Sequence, residues 1–204
     1  MKSYVKTILL CIMAEALNYI FGYIFGDVLH FPLFMDTIFT VAITFYCGLF
    51  PGLCVAILYN ILCTLTLVAR GYSFEPYPML FSLCGAAIAF VTWFFARKKN
   101  EFRISLSITV LYIVLIALIS SFLSILIGGT IDYIRYTMID LPDRLAPIKR
   151  FTDSFVSQQF SLLSACYLAQ IPVSIMDRLI TTFLGFGVYK LMVKFFGEET
   201  WSNQ

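Results

Sequence analysis

Between Thr37 and Ala69 the chain carries no charged residue at all. As a single helix that stretch would run roughly 50 Å at 1.5 Å per residue, whereas a bilayer's hydrocarbon core is about 30 Å thick. One straight crossing therefore cannot account for it. Pro51-Gly52 lies near its middle, and a residue without an N–H followed by one free to take positive φ marks a break. The pattern predicts two short membrane helices, 37–50 and 52–69, joined by a tight turn. Asp36 stands where an N-cap residue belongs. Thr37, Thr40, Thr44, Tyr59 and Asn60 then need protein partners to keep them out of lipid.

The same pattern predicts four more spans. The first, 5–25, holds Glu15 and Asn18 three residues apart, hence on one helix face. Gly22 and Gly26 follow at a spacing that permits close helix approach. Further spans are expected at 79–96, at 104–127 (ended by Gly128-Gly129), and at 171–196, which opens with Pro172 in its first turn. Asp177-Arg178 would lie about 9 Å into that last span. Ahead of it, apolar Phe151, Phe155, Leu162 and Cys166 recur at helical spacing. This predicts an amphipathic helix over 148–168, at the interface or across the mouth of the bundle. A seventh crossing there is disfavoured by Asp153, Gln158, Gln159 and several serines.

Composition agrees with the pattern. Of 204 residues, 60% are hydrophobic and 13% charged, against about 25% charged in an average soluble domain. The fold class is therefore all-α, a polytopic membrane bundle forming one integral membrane domain over 1–204. No alternating ten-residue segments suggest a β-barrel. A net charge of +2 with no long basic run gives no reason to expect nucleic acid as a partner. The six cysteines form no CxxC pair, and the lone His30 sits in a loop, so neither metal nor cofactor is expected. No nucleophile elbow, phosphate loop or dinucleotide fingerprint is present, so no catalytic residues are assigned and the chain is not read as an enzyme. Lys2 and Lys6 begin the chain as in a signal peptide, but the apolar region runs on to Phe25 without a cleavage site, so this is read as a retained first span.

Six spans would place both termini on one side. Lys2, Lys6, Arg97, Lys98, Lys99, Arg103, Lys190 and Lys194 then share the terminal side, while Arg70, Arg135, Arg144, Lys149 and Arg150 lie opposite. The positive-inside rule puts the termini in the cytoplasm, with the protein in the cell's inner membrane. The outward half then gathers Asp36, Thr40, Tyr72, Tyr77, Ser121, Gln170, Asp177 and Arg178, a mouth of aromatics and convergent polar groups suited to a small solute. Alternatively, Arg178 pairs with Asp36 for structure alone. Glu15 and Asn60 both fall near mid-depth on antiparallel helices, and a hydrogen bond between them is expected as structural glue.

Two segments, FMDTIFTVAITFYCGLFPGLCVAILYN and IPVSIMDRLITTFLGFGVYKLM, resemble the substrate-binding S components of energy-coupling factor (ECF) transporters. They also resemble related membrane modules of bacterial sensor kinases. The resemblance implies six short spans that catch a vitamin-like solute from outside. It further implies work with a transmembrane coupling protein and a pair of ATPases. The Ala-x-x-x-Ala docking motif of that family has no counterpart here, where the first span reads Ala14-Glu15-Ala16. A ligand-sensing module of a signalling system is the alternative.

Overall fold

A computed structural model describes residues 2–29, 31, 33–71, 74, 76–97, 105–138 and 147–197. Among them every regular element is helical. Helix α1 spans Lys2–Gly22 and continues as a π-helical segment, Tyr23–Val28. Then come α2 (Ile38–Cys47), α3 (Leu49–Ala69), α4 (Tyr77–Leu80), α5 (Ser82–Ala96), α6 (Leu106–Met138), α7 (Pro147–Ser157) and α8 (Leu162–Phe196). Among the described residues five stretches are long and apolar enough to cross a membrane, α4 and α5 counting together; α2 is a shorter apolar helix. Ile8, Ile12, Leu58, Leu65, Leu111 and Leu118 are exposed on the perimeter, where lipid rather than water suits them. The chain is a multi-pass helical membrane bundle.

The hairpin exists, but its hinge lies three residues earlier than expected. Gly48, with φ of 95°, separates α2 from α3. That conformation favours glycine, because a Cβ would strain it. Pro51 is the third residue of α3, where no intrahelical partner awaits its missing N–H. Gly52 packs against Thr44, and a Cβ there would collide with the threonine side chain. The glycine thus serves the closeness of the two helices, not the turn.

Three other boundaries move. Gly128-Gly129 does not end α6, which runs on to Met138. The glycines are seats: a Cβ on Gly128 would lie 2.9 Å from Gln170 Nε2, and one on Gly129 would lie 2.6 Å from the Tyr167 ring. The amphipathic helix is shorter than 148–168, ending at Ser157. Gln159 takes φ of 66°, and Ser161 caps α8 by accepting the Ser164 N–H at 3.3 Å. Pro172 therefore lies well inside α8, not in its first turn. At 33 and 35 residues, α6 and α8 reach roughly 50 Å each, about 20 Å more than a hydrocarbon core. Their excess carries charged residues toward or beyond an interface.

Packing divides the bundle into two halves. At the basal end, which holds the start of α1 and the end of α8, Val41, Phe45, Ile88, Ile116 and Phe186 form an apolar core. There Lys6 donates to the Tyr46 hydroxyl at 2.8 Å. Close approach in the middle relies on small residues: a Cβ on Gly185 of α8 would lie 2.7 Å from the Ile38 carbonyl oxygen of α2. Toward the opposite end the interior becomes polar.

Candidate functional site

The segment joining α1 to α2 sets up the site. Residues 33–37 are not helical although they run back into the bundle, and backbone of this kind persists at membrane depth only where protein satisfies its polar groups. Asp177, fully buried on α8, does so: its Oδ1 accepts the N–H groups of Phe34 at 2.9 Å and Met35 at 2.8 Å. Met35 has φ of 51°, the left-handed conformation that turns the chain toward α2.

The start of α2 is capped from another helix. Asn18 of α1, fully buried, accepts the Phe39 N–H at 3.0 Å and donates to Thr40 Oγ1 at 2.9 Å. The residue at the N-cap position is Thr37, not Asp36, and its side chain makes no cap bond. Its hydroxyl instead accepts from Arg178 Nη1 at 2.5 Å. Asp36 is thereby released from the capping role expected of it.

Beside this junction lies a cavity of about 220 Å³. Helices α2 to α8 all contribute to its wall; α1 does not. Phe34, Tyr59, Phe81, Ile88 and Ile148 supply apolar surface, and Asp36, Asn60, Asp132, Arg135, Gln170 and Arg178 supply polar and charged groups. A mostly apolar concavity with a few fixed polar groups is the usual form of a small-molecule site.

Two hydrogen-bonded sets hold the charged groups. On one side Arg178 Nη1 lies 3.3 Å from Asp177 Oδ2, beside its bond to Thr37. On the other, Asp132 Oδ1 lies 3.5 Å from Arg135 Nη1, and Asp132 Oδ2 accepts from Gln170 Nε2 at 2.8 Å. Gln170 Oε1 accepts from the Ser174 hydroxyl at 3.1 Å. Asp36 makes no ion pair among the described residues, and its Oδ1 is buried without a hydrogen-bond partner. The Nε atoms of Arg135 and Arg178 and the Ser124 hydroxyl are in the same condition.

Of the residues expected at the site, Asp36, Thr40, Gln170 and Arg178 line the cavity. Asp177 lies behind Arg178 and serves the backbone. Ser121 is buried away from the lining, its hydroxyl shared between the carbonyls of Ala117 at 2.7 Å and Ser174 at 3.2 Å. Tyr77 lies outside the lining, its hydroxyl 3.8 Å from Met138 Sδ. Tyr72 falls outside the described residues, as do His30, Lys98, Lys99, Arg103 and Arg144.

The Glu15–Asn60 pair does not form. Asn60 donates to the Ala56 carbonyl in its own helix at 3.2 Å and lines the cavity, while both Glu15 carboxylate oxygens are buried without a partner. Near that depth α1 contributes Asn18 to its neighbours instead, one helical turn from Glu15. Arg178 is likewise ion-paired with Asp177 and not with Asp36.

Sequence reasoning missed Asp132 and Arg135 as site residues, because ending the helix at Gly128-Gly129 placed them in a loop. The signal was present. Ala117, Ser121, Ser124, Gly128, Asp132 and Arg135 recur at steps of three and four, the period of one continuous helical face.

No protein family, curated protein or solved structure matches the chain.

Proposed function

We propose that this chain is a solute-capture subunit of an ECF-type importer, sited in the cytoplasmic membrane with its termini inside and its cavity end outward. The observation that carries the reading is the cavity itself, a space inside the helical bundle with four charged side chains around it. Ionisable groups are costly in a membrane interior and tend to mark sites that serve a ligand or ion. The resemblance of the α2–α3 hairpin and of α8 to S components supports the transport reading. Under it, a coupling protein and a pair of ATPases supply the energy, and the solute is a vitamin-like small molecule. Co-expression with such partners should yield a stable complex, and a vitamin and micronutrient panel should include a compound that raises the melting temperature of the isolated chain. A chain that joins no coupling protein and is stabilised by no compound refutes the proposal.

One observation favours the sensing alternative. Helix α8 runs without interruption from the cavity wall at Gln170 and Arg178 to the basal end at Phe196, a rod able to carry a ligand-dependent movement across the membrane. Neighbouring genes separate the two readings: transporter ATPases accompany the first, a kinase the second.

A further inference from the structure

The cavity places chemical limits on its occupant. Its lining holds two carboxylates, Asp36 and Asp132, and two guanidiniums, Arg135 and Arg178. Behind them Asp177, 3.3 Å from Arg178, adds a third carboxylate, so groups of both signs surround the space and each arginine already has one carboxylate beside it.

The walls are nonetheless unsaturated in both signs. A guanidinium offers five N–H donors. Among the described contacts, each of these arginines engages partners only through Nη1, and the Nε of each is buried and unpaired. Arg135, Arg178 and Asp132 are each about 95% buried. Opposite in sign stands Asp36, whose Oδ1 lacks a partner although Arg178 is close enough to act on it electrostatically. Unsatisfied buried polar atoms are scarce in folded proteins. Here cationic donors and an anionic acceptor of the same cavity share that condition. A simple cation would meet two guanidiniums, and a simple anion would meet two carboxylates.

We infer that the cavity takes a small zwitterion, an amine–acid of the amino-acid type, with its cationic nitrogen on Asp36 and its acid group on Arg178. The inference rests on the reading of the cavity as a solute site and adds to it the chemical class of solute. Asp132, already engaged by Gln170 and Arg135, holds the far wall. Phe34, Phe81 and Ile88 receive the apolar body of the molecule.

The test uses the purified full chain in nanodiscs. The probes are the twenty amino acids, β-alanine and 4-aminobutyrate, each beside its decarboxylated amine and its deaminated acid, with a set of uncharged solutes as a further arm. Binding is read by thermal shift and then by calorimetry. At least one zwitterion should bind about tenfold or more tighter than either of its singly charged analogues, the scale of one lost charge-assisted hydrogen bond. Asp36→Asn should abolish the preference for the zwitterion over its acid. Arg178→Gln should abolish the preference for the zwitterion over its amine. Gel filtration of each variant keeps misfolding apart from lost recognition, and Asp36→Asn, at a side chain that makes no ion pair among the described residues and whose Oδ1 has no partner, carries the test if Arg178→Gln does not fold. Binding confined to amines, acids or uncharged solutes overturns the zwitterion while leaving solute capture standing. No binding by any of these compounds overturns the zwitterion, and no binding by the vitamin and micronutrient panel as well overturns both.

Discussion

Replacing Asp177 tests how the non-helical segment is held. In Asp177→Ala two buried backbone N–H groups, those of Phe34 and Met35, lose their acceptor. Each orphaned amide costs about 1–3 kcal/mol. Arg178 also loses the carboxylate oxygen 3.3 Å from its Nη1, and removing one side of a buried ion pair typically costs about 3–5 kcal/mol. These costs overlap because one relaxation serves all three groups, so a net loss of about 4 kcal/mol is expected. For a chain of this size, at about 2–4 °C per kcal/mol, the melting temperature should fall by about 8–16 °C. Asp177→Asn keeps a carbonyl oxygen for the two amides but removes the charge facing Arg178, and should lose roughly half as much. A thiol-reactive fluorophore provides the assay, because Cys84 and Cys166 are buried and react when the bundle opens. An alanine variant melting within about 2 °C of the parent would show that the amides find other partners, and the account of the segment would fail.

Three other outcomes are expected. Gly185→Ala should destabilise by about 1–3 kcal/mol, as overpacking of a tight contact does, because its Cβ would lie 2.7 Å from a backbone oxygen, that of Ile38, which cannot rotate away; a wild-type melting temperature counts against that contact. Glu15→Gln should leave stability unchanged or raise it, since neither carboxylate oxygen has a bond to lose; a fall of more than about 5 °C in the same thermal assay would reveal a partner. Single cysteines placed at Tyr4, Phe50 and Arg70 in a cysteine-free background test the hairpin by labelling in oriented vesicles. The first two should react from one side and the third from the other; Phe50 labelled from the Arg70 side would refute a reversal at Gly48.

Much of the architecture could be read from the chain because membrane burial is a strong and simple constraint. An apolar run too long for one crossing has to turn, and the α2–α3 hairpin does so. What the run did not specify was where. Proline in the first turn of a helix is as acceptable as proline in a loop, and only the backbone angle at Gly48 decides between them. Glycines pose the same ambiguity: at 128 and 129 they fit both a helix end and a close side-chain contact, and the contact with Gln170 and Tyr167 prevails. The site was partly legible, through Asp36, Thr40, Gln170 and Arg178, because charged residues in apolar surroundings draw notice. The partition of roles between Asp36 and Asp177 was not, since it depends on which carboxylate meets free backbone N–H groups.

That partition links the fold to the cavity. A regular helix from α1 through α2 would satisfy its own backbone and leave Asp177 with nothing to accept. The broken segment instead presents unpaired N–H groups, and Asp177 takes two of them. Its other oxygen faces Arg178, so that carboxylate is occupied by structure. Asn18 supplies the cap that α2 would otherwise draw from its own N-terminal residue, which leaves Thr37 for Arg178 and leaves Oδ1 of Asp36 without a partner. A carboxylate oxygen buried without a partner is unfavourable by itself. The surrounding bonds hold Asp36 there nevertheless, on the wall of a space bounded by helices α2 to α8. The fold thus satisfies the backbone around the cavity while leaving bonding capacity on its lining. That combination suits a structure completed by a ligand better than one complete in itself.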